Sequence, residues 1–106
     1  MIFVDTSFFF AVTEPSDRAH QEAMGLLARI NGIPLVTTNH VQGETWTLMN
    51  SRSGHATAMR FIESVGASAV IQVDRVGRTT EENALTWLKR HDERTYSFVD
   101  ATSFAF

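Results

Sequence analysis

Short apolar strands alternating with amphipathic helices predict an α/β fold, a three-layer α/β/α sandwich built on a parallel sheet. Three observations carry this reading. Ile2-Phe3-Val4, Pro34-Leu35-Val36-Thr37 and Ala69-Val70-Ile71-Gln72-Val73 are short apolar runs of the kind buried on both faces of a parallel sheet. The segments between them place apolar residues at helical spacing. The chain has 106 residues, 43% apolar and 20% charged, which suits one compact domain with one core.

Taken in order, Ile2 to Val4 form the first strand, bounded by Asp5-Thr6-Ser7, and a short helical turn follows through Phe8 to Val12. Glu14-Pro15-Ser16-Asp17 has the marks of a helix start, with Pro in the first turn and acids near the N-terminus. Ala19, Ala23, Leu26, Leu27 and Ile30 supply that helix with an apolar face, and Asn31-Gly32 stops it. After the second strand, Asn39 stands three residues before Gln42, the spacing of a capping box. The helix it opens carries Val41, Glu44, Thr45 and Leu48 on one face and breaks at Ser53-Gly54. A further helix runs to about Gly66 with Ala58, Phe61, Ile62 and Val65 apolar. Thr79 or Thr80 is expected to cap the helix of Ala84, Leu85, Trp87 and Leu88, and Ser97-Phe98-Val99-Asp100 opens a last one. Phe104-Ala105-Phe106 continues apolar and helical with no stop signal, so residues 1–106 read as one domain that ends before its pattern is complete.

Composition excludes several function classes. There are no cysteines, hence no disulfide framework, zinc–thiolate site or Cys nucleophile; this fits a reducing cytosol, and a cytoplasmic location is expected. No apolar stretch is long enough to span a bilayer, and the N-terminus lacks the basic region of a signal peptide, so no membrane role is expected. Net charge is −3, which is not the footprint of a non-specific nucleic-acid binder. Eight of the nine basic residues are Arg, a choice that suits bidentate phosphate contacts and equally suits a coding bias. His20, His40, His55 and His91 show no metal-ligand spacing, and there is no G-x-S-x-G motif.

Three carboxylates stand where an isolated charge is awkward. Asp5 follows the first strand, at the edge where ligands of open parallel sheets bind. Glu44 lies on the helix face that should be buried. Asp100 sits in the first turn of the last helix among Phe98, Val99 and Phe104. Desolvating such groups singly is expensive, and convergence on one divalent cation with oxygen ligands would account for all three. Each also has a local reading: Asp5 as an N-cap for the turn from Thr6, Glu44 as the partner of a buried Arg or as a side chain reaching out from the edge of its face, Asp100 as half of a capping box with Ser97.

Three segments in order, FVDTSFFFAV, LVTTNHVQGETWTLM and DERTYSFVDATSFAF, resemble the PIN-domain family, and within it the VapC-type toxins of bacterial toxin–antitoxin pairs. The resemblance implies a metal-dependent endoribonuclease. Hydrolysis of RNA phosphodiesters by metal-activated water is the expected reaction, and in-line attack by metal-bound hydroxide would leave 5′-phosphate and 3′-hydroxyl ends. Asp5, Glu44 and Asp100 match the family's acidic cluster and would hold Mg²⁺, with Mn²⁺ able to substitute. Thr6 or Ser7 matches a hydroxyl beside the first acid, which would bond a carboxylate, water or phosphate. Asp92 matches an acid often found shortly before the Ser-Phe-x-Asp start, although a solvated loop position suits it better. A cognate antitoxin, its tail placing an Arg among the carboxylates, and a homodimer are the implied partners. The family continues beyond this point into a further strand, a fourth acid and a helix, so the chain is expected to be truncated at its C-terminus. A different class of function is a catalytically inactive PIN-like binding domain whose acids hold a structural ion or a cationic peptide. A phosphatase-like enzyme using Asp5 as nucleophile is a second rival, and Ser7 stands where that class wants another Asp.

Overall fold

The computed structural model describes residues 1–106 as three strands and six helices in the order β1 (Ile2–Phe3), α1 (Thr6–Thr13), α2 (His20–Arg29), β2 (Leu35–Thr38), α3 (Asn39–Ser53), α4 (His55–Ala67), β3 (Ile71–Asp74), α5 (Arg78–Arg90) and α6 (Phe98–Ala105). The strands form one parallel sheet in the order β1-β2-β3. Ile2 pairs with Leu35 and Phe3 with Val36, and β2 pairs with β3 from Leu35–Ile71 to Thr38–Asp74. Each crossover contains two helices, as parallel strands require a long connection.

Only the central strand is buried throughout. Contrary to the expectation from their apolar runs, Ile2 and Phe3 of β1, an edge strand with β2 as its neighbour, are exposed, and β3, at the other edge, is half-buried with Gln72 exposed. All four residues of β2 are inside, and its two threonines are satisfied rather than exposed. The Thr37 hydroxyl donates to the Val4 carbonyl at 2.8 Å. The Val4 N–H donates to Val36 at 2.8 Å, so β1 stays tied to β2 up to the residue before Asp5. Val4, Phe9, Phe10, Leu35, Val41, Met49, Ala58, Phe61 and Val65 form the core. Phe9 and Phe61 meet edge-to-face with ring centroids 5.2 Å apart, a favoured aromatic geometry. Of the triple Phe run, Phe9 and Phe10 are buried and Phe8 is half-buried against the core.

The α/β class, the parallel sheet and both glycine stops hold: Gly32 and Gly54 take φ of +84° and +96°, which other residues rarely adopt. Four local expectations are corrected. First, α2 begins at His20, not near Pro15, because 14–19 folds into turns. There Asp17 and His20 donate to the carbonyls of Glu14 and Asp17, and the Glu14 carboxylate accepts from Ser16 and, at 2.7 Å, from the Ser53 hydroxyl. The Ser53 bond is the main reason that the Glu14 carboxyl titrates below its ordinary value. Second, Thr38 caps α3, its hydroxyl accepting from Val41 at 3.1 Å. Asn39 instead accepts from the Val76 N–H at 2.7 Å and ties the end of β2 to the end of β3. Third, β3 starts at Ile71, because the Ser68 hydroxyl accepts from both Val70 and Ile71 and holds Ala69-Val70 in a turn. Fourth, α5 starts one residue before Thr79, with Gly77 at its N-cap and no side-chain cap.

Candidate active site

A parallel sheet brings the carboxyl ends of its strands to one edge, and the loops beyond them build the site. β1 ends and Asp5 emerges. β2 ends and α3 begins, carrying Glu44 in its second turn. α6 brings Asp100 and Ser103. These residues, with Thr6, Ser7, Val41, Leu48 and Val99, line a single cleft of about 310 Å³.

Each carboxylate is held by a donor of its own. The Thr6 hydroxyl donates to Glu44 Oε2 at 2.8 Å across the cleft. The Ser7 hydroxyl and the Phe8 N–H donate to Asp5 Oδ1 at 2.9 and 3.1 Å. The Ser97 N–H donates to Asp100 Oδ2 at 3.0 Å while the Asp100 N–H donates back to the Ser97 hydroxyl at 2.9 Å, a reciprocal capping box. Asp5 Oδ2, Glu44 Oε1 and Asp100 Oδ1 make no hydrogen bond within the protein. No Lys or Arg pairs with any of the three, since the single ion pair of the structure joins His40 to Glu81. Three carboxylates therefore share one cleft without a protein cation to balance them.

Glu44 is half-buried, with Thr6 as its partner rather than an Arg. Asp5 and Asp100 are exposed at the lip of the cleft, so the expected desolvation penalty does not apply to them. The physical reason is that β1 ends before Asp5 and that both aspartates face the first turn of a helix, where they cap free N–H groups. The local readings of these two residues are realised, and they coexist with a place in the cleft. The three are not gathered into a closed ligand set: no three His, Asp or Glu side chains lie close enough together to enclose an ion. The donor chemistry fits a hard divalent cation nonetheless, because the cleft offers carboxylate and hydroxyl oxygens and no nitrogen or sulfur ligand.

Thr6 and Ser7 both bond a carboxylate, one each for Glu44 and Asp5. Asp92 lies exposed in the loop between α5 and α6 and does not line the cleft. Ser103 is a cleft residue that sequence reading misses; its signal is the three-residue step from Asp100, which puts both on one helical face. Because Ser97 anchors the turn that holds Asp100, Ser97→Ala is expected to lower stability by about 1 kcal/mol, the usual worth of an N-cap hydroxyl. Thermal unfolding of the two proteins checks this.

The PIN domain family model matches residues 2–106, and the chain belongs to that family. It is 50% identical over 105 residues to proteins named 23S rRNA-specific endonuclease VapC20 from two strains of Mycobacterium tuberculosis, CDC 1551 and H37Rv, an alignment covering 99% of this chain and 79% of theirs. The crystal structure of M. tuberculosis VapC20, described as a sarcin-ricin loop cleaving toxin, matches with a TM-score of 0.91 at 48% identity, over 99% of this chain and 79% of that one.

Proposed function

We propose that this chain is the endoribonuclease toxin of a toxin–antitoxin pair, cleaving RNA with a divalent cation held by Asp5, Glu44 and Asp100. The observation that carries the reading is the shared cleft, where three carboxylates each keep one oxygen free and no protein cation answers them. The identity to the VapC20 proteins extends over nearly the whole chain and supports a 23S rRNA target, the sarcin-ricin loop within it. Mg²⁺ is the expected ion and Mn²⁺ the substitute. The ion would lower the pKa of a water and neutralise charge on the phosphoryl oxygens.

The chain's own residues fix where this chemistry takes place. Thr6 holds the Glu44 carboxylate by one oxygen and leaves the other for the ion. Ser7 and the N-terminal turn of α1 do the same for Asp5. Such outer partners set ligand orientation, and their loss commonly weakens metal affinity by roughly 10- to 100-fold. The cognate antitoxin would mask the carboxylates with a basic side chain, and a homodimer is the expected assembly.

The test is cleavage of 23S rRNA or its isolated sarcin-ricin loop by the purified chain. Activity is expected with Mg²⁺ or Mn²⁺, none in EDTA, and full recovery when the ion is restored. Equal cleavage in EDTA would remove the cation from the account. Binding of RNA without cleavage under any ion would make the chain an inactive PIN-like binding domain.

A further inference from the structure

The edge that carries the cleft continues past it, and its two sides differ in chemistry. Phe3 lies beside Val36 and Thr38 beside Asp74, so Asp5, Thr38 and Asp74 reach the edge at one level. Arg75 follows Asp74 directly and Arg78 opens α5; both are exposed and neither forms an ion pair. The bond from the Val76 N–H to Asn39 Oδ1, 2.7 Å, ties them to the junction from which α3 carries Glu44. Between them and the cleft stand His40 and Phe98, ring centroids 5.8 Å apart. His40 precedes Val41 and Phe98 precedes Val99, and both valines line the cleft. His40 also reaches Glu81, one turn along α5 from Arg78, at 3.8 Å. Phe98 is 37% exposed although it is a large aromatic at the start of a helix. On the β1 side, by contrast, the neighbouring groove is walled by Ile2, Phe3, Phe8, Leu26, Ile30 and Phe104 and has no cation.

Phe3 and Phe104 of that groove are exposed as well, at 37% and 61%, but no cation lines it. A polyanion seated in the cleft therefore meets an exposed ring together with unpaired cations on the β3 side, and exposed rings without a cation on the β1 side. Resting on the ribonuclease reading above, we infer that Phe98, Arg75 and Arg78 form a track for single-stranded RNA leading from the cleft. An unpaired base stacks on Phe98, and the two guanidinium groups hold backbone phosphates beyond it. Stacking on an aromatic needs an unstacked base, which selects loops and single strands over duplex. Arg suits phosphate because its planar fork binds two oxygens. These residues position the strand and do not touch the reacting atoms.

Binding of a short single-stranded RNA oligonucleotide, measured in EDTA across a salt series, tests this. Arg75→Ala/Arg78→Ala is expected to weaken binding about tenfold and to make the slope of log affinity against log salt shallower by about 1.4, since each single-strand phosphate contact contributes roughly 0.7. Lys at both positions should restore most of the slope. Phe98→Leu should weaken binding about fivefold with the slope unchanged, as a lost stacking contact does. Arg29→Ala, which removes a charge at the end of α2, should leave both quantities as they are. The track is overturned if the Arg75/Arg78 pair behaves as wild type, or if Arg29→Ala has the same effect as the pair. If the wild-type chain binds no RNA in EDTA yet cleaves 23S rRNA with Mg²⁺, the track falls and the ribonuclease reading stands. If affinity depends on Arg75 and Arg78 but Mg²⁺ brings no cleavage, the track stands and the ribonuclease reading falls.

Discussion

Asp5→Asn, Glu44→Gln and Asp100→Asn are each expected to lower RNA cleavage by about 100-fold or more while leaving the fold intact. A hundredfold corresponds to about 2.7 kcal/mol of lost transition-state stabilisation, a modest demand for a ligand of a catalytic cation. These substitutions separate ligation from structure because an amide keeps the hydrogen bond and removes only the charge. Asn serves at an N-cap about as well as Asp, so the Phe8 N–H keeps its acceptor at position 5. An Asn at 100 still accepts from the Ser97 N–H, and a Gln at 44 still accepts from the Thr6 hydroxyl. With one negative charge fewer in the cleft, the melting temperature is expected to stay level or rise slightly. Alanine would confuse the two effects, since it removes the cap and the ligand together. The three losses should not add, because residues that hold one ion act as a unit. Cleavage rates and thermal melts of the same three variants check both halves of the expectation.

The second large effect is on stability. Met49 has no exposed surface and sits in the core cluster on α3, the helix that carries Glu44. Met49→Ala is expected to cost about 2–5 kcal/mol, the transfer term plus the cavity left behind. Against a total of roughly 5–15 kcal/mol for a small domain, that removes a large share of the margin. Urea titration should show a lower midpoint with an unchanged slope, as a pure stability change does. The acid variants should therefore lose activity and keep stability, and the Met49 variant should lose stability first.

How much of this was legible in the sequence varies by residue, for physical reasons. The strands and helices are local: apolar runs, helical spacing and two glycine stops mark them well, and the sheet follows from their alternation. The starts of α2, α3 and α5 misled because caps are decided by competition. Asn39 has the right spacing for a capping box, yet a backbone N–H from the β3 end claims its side chain, and that contact spans 37 residues. The Glu14 clasp to Ser53 spans 39 residues, and Pro15 and Asp17 lie outside the helix. In the site, the residue types and their shared cleft were readable from the three family motifs. The reason offered for their cost was not. Asp5 and Asp100 lie on the surface as caps, and only Glu44 is partly enclosed. Thr6 adjoins Asp5 in sequence but serves Glu44 in space, a pairing that no spacing rule within one helix could find.

The central claim is that Asp5, Glu44 and Asp100 bind one divalent cation together. Mn²⁺ titration of the wild-type chain and of the Asp5→Asn/Glu44→Gln/Asp100→Asn variant, followed by the signal of free Mn²⁺, tests it most directly. The account predicts a saturable site in the wild type that Mg²⁺ displaces and that the triple variant lacks, in a protein that melts no lower than the parent. Mn²⁺ binding that survives in the triple variant with unchanged affinity would contradict it.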